Sequence, residues 1–483
     1  MWLLTWRYRR FHVSYVLAWC AVGVLAGVFA GQYITPQNIW SAVSLGVLML
    51  GVSLRSGRWF ACVLALVAGL VVGMIRGGDY AQQLRHTSEL AGKQLTLVAA
   101  TTSDPVLMNG SDTWQVQLGS LRVGTVHYEG EAYATVVSDN ALKRGDELTL
   151  VGKAQTGFGN FRLSIFRAHV RHVIRSPDVF LQARDVFAAG TRRVMPEPEA
   201  SLGLGFLVGE KSALPSDLTE QLKIVGLTHI IVASGYNLTI FVRFARRLLA
   251  RRSRYLALAG SLLLVAGYIL VSGFSPSMNR AAVVTFLSLL AWYYGRTFHP
   301  VQLILYVASV SALVYPTYVW TDLGWLLSFL AFGGVLVVAP IVTRLLYRKD
   351  REPGALARLV IETTAAEAMT LPVIALAFGY IPVLALVANV AVASIIPFAM
   401  FFTFVAGVVG LMVPVLSVLA LPAGILTAAV VAVAETLSRP DWARLPVTLT
   451  MTGVLIWYGL LGIVLVFVWK RRRVNLRASS VVE

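Results

Sequence analysis

Apolar runs of about 20 residues recur along this chain, and no other feature constrains its fold as strongly. The clear ones cover residues 13–31, 58–75, 255–273, 278–294, 301–315, 322–345 and 449–469. Shorter or more interrupted ones cover 39–54, 226–242, 359–378, 383–408 and 411–435. In hydrocarbon every backbone polar group must be satisfied within its own segment, so such runs become helices. They predict a polytopic α-helical membrane protein with about 12 transmembrane helices. Composition agrees, because only 13% of the 483 residues are charged, against about a quarter in soluble domains.

The first run follows Arg7, Arg9 and Arg10, but its length and the spans after it exclude a signal peptide. Cys20 and Cys62 both fall inside predicted spans, where they read as buried structural thiols. Basic residues set the orientation. They cluster at 7–10, at Arg55 and Arg58, in "RFARRLLARRSR" (243–254), in "YRKDREPGALAR" (347–358) and in "KRRR" (470–473). Counting spans between them puts every cluster on one side, which the positive-inside rule makes cytoplasmic, together with both termini. The net charge of +17 is then mainly topological and says little about nucleic acid by itself.

One polar island, residues 79–198, interrupts the spans, and parity places it outside the cell. Alternating segments at 94–101, 113–123, 131–138, 146–154 and 162–173 predict about five strands. They are separated by turn residues at Asn109-Gly110, Glu129-Gly130 and 157–160. This pattern suits an extracytoplasmic β-barrel of the OB kind, a fold that binds single strands through a basic groove and aromatic platforms. Lys153, Phe158, Phe161, Arg162, Arg167 and Arg171 are the candidate DNA-binding residues. A barrel with core phenylalanines and a solvated basic face fits the same residues. His169 and His172 read as surface residues, since nothing nearby completes a metal site.

The stretch "GLTHIIVASGYNLTI" (226–240) places His229, Ser234, Gly235, Tyr236 and Asn237 in an otherwise apolar span. Upstream, Asp217 and Glu220 read as a capping box that starts a helix at the membrane surface. A helix weakened at Ser234-Gly235 frees backbone groups, tolerated only against protein or a water-filled cavity. Helix packing through small residues, with Asn237 bonding between helices, is the plainer reading of the same residues.

The stretch resembles the signature of the ComEC family, the inner-membrane channel for DNA uptake in natural competence, through Gly226, Leu227, His229, Ser234 and Gly235. Further resemblances follow in family order. "SPSMNRAAVV" (275–284) offers Pro276, Arg280 and Ala281. "YPTYVWTDLGWLLSFLAFGGVLVVAP" (315–340) offers Pro316, Asp322, Gly324, Leu327, Ser328 and Phe329, and "ALVANVAVASIIPF" (385–398) is similar to a later family segment.

The resemblance implies inward conduction of single-stranded DNA, with an external DNA receptor and a cytoplasmic helicase-like motor as partners. The division it suggests is 1–78 N-terminal spans, 79–198 external OB-like domain, 199–472 channel core and 473–483 cytoplasmic tail. A polyanion path needs sparse cationic and amide donors together with aromatic faces. His229, Ser234, Gly235, Tyr236, Asn237 and Arg280 are the candidates, with Trp325, Ser328 and Phe329 on a facing helix. Near the outer end of its span, Arg280 could alternatively extend to the headgroups.

Two departures stand out. Asn237 occupies the place of the family's second histidine, so a titratable group has become one that only hydrogen-bonds. No His-x-His-x-Asp-His run occurs among the seven histidines, so the metallo-β-lactamase-like domain of many relatives is not expected before Glu483. Degradation of the other strand would then fall to a separate nuclease. "GFLVGEKS" (205–212) lacks a phosphate-loop spacing. No enzyme activity, cofactor or metal is expected. Rival classes are a secondary transporter of small anions, which would show an internal repeat, and a lipid-processing enzyme using His229, Glu210 and Glu362. Glu362 and Glu367, five residues apart, fall on different helix faces.

Overall fold

The computed structural model describes residues 12–33, 44, 46, 48–52, 59–108, 112–138, 140–210, 214–231, 235–273, 276–296, 299–347, 353–412 and 414–472. The chain divides into two compact units, Met1–Leu181 with Gln302–Leu326, and Gln182–Val301 with Leu327–Glu483.

In the first unit, helix α1 (Val13–Gly31) packs along α2 (Trp59–Ser88). The seam is made of glycines four residues apart, Gly23, Gly27 and Gly31 against Gly69, Gly73 and Gly77. A Cβ on Gly27 would lie 2.1 Å from the Leu70 carbonyl oxygen, and one on Gly69 2.1 Å from that of Cys20. Without side chains at the seam the backbones approach closely, which is how helices associate where lipid removes the hydrophobic drive. Helix α2 continues to Ser88, ten residues past the predicted boundary at 78, and leads directly into the strands.

Strands β1 (Gln94–Thr101), β2 (Val106–Leu107), β3 (Thr113–Val123), β4 (Val126–Tyr128), β5 (Glu131–Val137), β6 (Glu147–Thr156) and β7 (Phe161–Ile174) form one sheet. Its order β1-β6-β7-β5-β3 closes because β3 also pairs with β1, giving a five-stranded barrel with β2 and β4 as appendages on β3. All pairings are antiparallel except β5 with β7. Leu97, Leu118, Leu148, Leu150, Leu163 and Ile165 alternate inward and fill the barrel. Helices α10 (Pro300–Val314) and α11 (Thr317–Trp320) complete this unit. The Trp320 indole donates to the Val28 carbonyl at 2.9 Å, and Arg76 Nε to that of Leu313 at 2.9 Å.

The second unit begins with α3 (Val179–Val194) and α4 (Glu199–Val208). Every residue from Ala200 to Val208 is buried, so this ten-residue helix is a core element rather than a span. After it come α5 (Ser216–Ile224), α6 (Thr228–Ile231), α7 (Gly235–Leu249), α8 (Arg254–Ser272) and α9 (Pro276–Tyr293). Next come α12 (Leu323–Gly333), a π turn (Gly334–Val338), α13 (Ala339–Leu346), α14 (Ala355–Phe378) and β8 (Tyr380–Pro382). The chain continues through α15 (Ala385–Met412), α16 (Leu421–Ser438), β9 (Arg444–Pro446) and α17 (Met451–Arg472). Exposed Leu455, Leu460 and Ile463 give α17 an apolar outer surface suited to lipid.

Among the described residues, eight helices are long and apolar enough to cross a membrane: 13–31, 60–88, 254–272, 323–346, 355–378, 385–412, 417–438 and 451–471. The predicted span 301–315 is a 15-residue helix, and 39–54 falls largely outside the described residues. The predicted span 226–242 is not one helix. Helix α5 stops at Ile224, Gly226 turns with φ 72°, and α6 and α7 restart the chain. The expected capping box is also absent. Pro215 occupies the N-cap and offers no hydroxyl, while Glu220 turns to Lys223 at 3.4 Å and Arg444 at 3.6 Å.

Candidate functional site

On the barrel, a bulge in β7 decides which residues face water. Ala134 pairs with Ile165 and Val136 with Ala168, so Thr135 stands opposite both Phe166 and Arg167. Arg167 takes φ 51°, unusual for a residue with a Cβ, and its N–H donates to Thr135 Oγ1 at 2.8 Å. As a result consecutive residues Phe166 and Arg167 both point outward. Phe166 joins Tyr133, Phe158 and Phe161 in one group, with ring centroids 5.3 Å (Tyr133–Phe158), 5.7 Å (Tyr133–Phe161), 5.6 Å (Phe158–Phe161) and 6.3 Å (Tyr133–Phe166) apart.

Phe158 is 52% and Phe166 46% exposed, so these two are not core phenylalanines. Lys153, Arg167 and Arg171 are exposed, as are His169 and His172. Exposed rings beside cations are the equipment for stacking bases and holding phosphates. Arg162 is placed differently. It lines a cleft of about 460 Å³ with Arg85, Ser88, Leu84 and Trp320, and its buried Nε has no hydrogen-bond partner.

In the second unit, the motif residues meet around α9. A Cβ on Gly235, the first residue of α7, would lie 2.7 Å from the Ala281 Cβ. The neighbouring Arg280 is 5% exposed and places its guanidinium carbon 5.5 Å from the centroid of the Phe329 ring on α12. Three segments far apart in sequence therefore converge on the pair Arg280-Ala281. The burial of Arg280 excludes the headgroup-reaching reading, because the side chain is enclosed by protein.

Asn237 is 1% exposed, and its Nδ2 donates to the Phe206 carbonyl at 3.0 Å; the Tyr268 hydroxyl donates to the same oxygen at 3.2 Å. That carbonyl lies in the last turn of α4, where helical partners run out. Asn237 is thus used as a buried donor that ties α7 to the core helix. His229 is exposed on α6, and Tyr236 lies in the first turn of α7. Ser234 lies outside the described residues. Ser328 and Phe329 are half-buried on α12.

Trp325 is 8% exposed; its indole donates to Ser311 Oγ at 2.9 Å and its N–H to Asp322 Oδ1 at 2.7 Å. Asp322 is therefore a helix cap, a role that sequence spacing alone did not reveal. Glu210, a base in the enzyme reading, accepts from Arg192 Nη2 at 2.8 Å. Among the described residues no group of three or more His, Cys, Asp or Glu side chains could hold a metal ion.

These features define a class: an integral membrane protein with a five-stranded barrel and a helical core assembled around a broken, glycine-marked segment. The profile described as "Competence protein" matches residues 206–472, more than half of the chain, and the chain belongs to that family. It is 34% identical over 108 residues to the competence protein ComA of Neisseria gonorrhoeae, covering 20% of this chain and 16% of that protein. It is also 27% identical over 188 residues to an uncharacterized protein of Aquifex aeolicus (strain VF5), covering 38% of this chain and 42% of that one. The aligned parts span less than half the length of either relative. No solved structure matches.

Proposed function

We propose that this protein conducts single-stranded DNA across the cytoplasmic membrane during natural transformation. The observation that carries the reading is the convergence of three family motifs on Arg280-Ala281, which encloses a cation over an aromatic ring inside an apolar unit. A strand moving through needs its phosphates met by charge and its bases by flat apolar faces. Arg280 supplies the first and Phe329 the second, with His229, Ser234, Tyr236, Ser328 and Trp325 as further path candidates.

The barrel is read as an OB-like domain. Its five main strands close in the order first-second-third-fifth-fourth with a parallel third and fifth, the Greek-key arrangement that supports this reading. It lies outside the cell, with both termini cytoplasmic, by the positive-inside argument. There Tyr133, Phe158 and Phe166 stack bases while Lys153, Arg167 and Arg171 meet phosphates. The division into N-terminal spans, external domain, channel core and tail belongs to the same proposal. So do the external DNA receptor, the helicase-like motor and a separate nuclease.

The test follows labelled DNA in a strain lacking the gene. Internalisation is expected to stop while DNA still collects outside the cytoplasmic membrane. Undiminished internalisation in that strain would end the reading.

A further inference from the structure

Glu367 sits midway along α14, a 24-residue apolar helix long enough to span the membrane. A carboxyl at such a place is costly unless something meets it. Its hydrogen-bond partner is Asn389 on α15, 7% exposed, whose Nδ2 donates to Glu367 Oε1 at 3.1 Å. The other half of that amide is left over: Asn389 Oδ1 is buried with no hydrogen-bond partner.

Among the described residues no cation bears on the carboxyl. The π turn Gly334–Val338 and all of α15 carry no ionisable side chain. The π turn packs so tightly that a Cβ on Gly334 would lie 2.5 Å from the Ala365 carbonyl oxygen. Arg344 lies in the last turn of α13, which shares an apolar cluster with Ile361, Ala365 and Met369 of α14. On α17, the Tyr458 hydroxyl is committed to the Met369 carbonyl at 2.6 Å. Lys470, Arg471 and Arg472 lie at least 12 residues beyond Tyr458, about 18 Å along the helix. Tyr380 on β8 follows the far end of α14. On α14 itself, Glu362 lies within electrostatic reach of Arg358 and Arg243, one and a half turns before Glu367.

An ionised carboxylate only accepts hydrogen bonds, so it leaves Asn389 Oδ1 unmet and stands in apolar surroundings with a single neutral donor. A protonated carboxyl has an O–H to give. It closes an acid–amide ring, Nδ2–H to Oε1 and Oε2–H to Oδ1, and satisfies every polar atom of both side chains. We infer that Glu367 and Asn389 form a proton-binding site within the membrane, occupied at neutral pH, at which Glu367 carboxylate takes up one proton to become the amide-paired acid. The inference uses nothing from the DNA-conducting reading and stands or falls separately.

The test uses the full chain in lipid nanodiscs. Dicyclohexylcarbodiimide, which reacts with protonated carboxyls in apolar surroundings, is expected to modify Glu367 at pH 7, with the adduct lost in Glu367→Gln. Labelling should fall as rising pH ionises the group. Gln keeps the amide ring, so that variant should fold and elute as the native protein does. Infrared spectra should show a protonated-carboxyl carbonyl band that vanishes in Glu367→Gln and moves to higher frequency in Asn389→Leu. A merely structural Asn389 would not move that band. An unmodified Glu367 in folded protein at pH 7, with no such band, would overturn the inference. Protection by sodium at constant ionic strength would also overturn it, making the pair a sodium site.

Discussion

The guanidinium carbon of Arg280 lies 5.5 Å from the centroid of the Phe329 ring, with Arg280 only 5% exposed. A cation over an aromatic face is worth about 0.5–2 kcal/mol, more when water is excluded. In the proposed path a passing phosphate becomes an anionic partner of this enclosed guanidinium. Arg280→Ala should leave the amount of membrane protein near normal and lower transformation by at least roughly tenfold, the effect of about 1.4 kcal/mol. Arg280→Lys should restore part of the activity, keeping the charge but not the planar fork. Transformation frequency beside membrane-fraction protein level measures both.

Gly235, the first residue of α7, is a packing position. Its absent Cβ would come within 2.7 Å of the Ala281 Cβ, so a larger side chain must push α7 from α9. Gly235→Leu should cost about 1–3 kcal/mol or more through overpacking and reduce the amount of folded protein, with Gly235→Ala milder. Quantitative blotting of the membrane fraction checks the order.

The exposed aromatic group on the barrel should bind single strands. In a fragment spanning 79–178, Phe166→Ala and Phe158→Ala should each weaken binding by roughly 1–3 kcal/mol, the usual worth of one base stacked on one ring. Arg167→Ala should instead weaken binding evenly across sequences and flatten its salt dependence. Fluorescence titrations at several salt concentrations separate the two effects.

Desolvation by the surrounding protein, with Asp322 as the second cause, pushes the Glu131 carboxyl above the usual carboxylate range, although part of its side chain stays exposed. A carboxyl that binds its proton more tightly when folded contributes stability that is present below its ordinary value, about 4.3, and lost as pH rises through the folded value. Glu131→Gln removes that loss. The variant should unfold at a higher temperature than the native protein at pH 7–8, with the difference gone below about pH 4. Thermal unfolding of detergent-solubilised protein across this range is the check.

Much of the barrel was legible because alternation reports directly on burial. The predicted strand 94–101 agrees with β1 residue for residue, and 113–123 with β3. The β7 bulge was not legible, since Phe166 and Arg167 are an ordinary dipeptide until the pairing with Thr135 is known. The glycine seam of α1 and α2 stood in the sequence as a four-residue spacing, yet a hydropathy average over a span is blind to spacing. At the candidate site, the polarity of Asn237 and Arg280 was visible. Their partners, the Phe206 carbonyl and the Phe329 ring, lie 31 and 49 residues away and are fixed by helix packing alone. The interruption after Ile224 was not legible, because Gly226, left-handed just past that helix, looks like part of an apolar run.

The most direct measurement of DNA conduction is crosslinking during uptake. A photoreactive residue placed at Phe158 on the barrel, Ser328 on α12 or Leu455, which is 66% exposed on the apolar face of α17, is illuminated while cells internalise labelled DNA. Crosslinks to the incoming strand are predicted at Phe158 and Ser328, with none at Leu455. Cells that internalise DNA normally yet give no crosslink at Ser328, or give equal crosslinking at Leu455, would contradict the account.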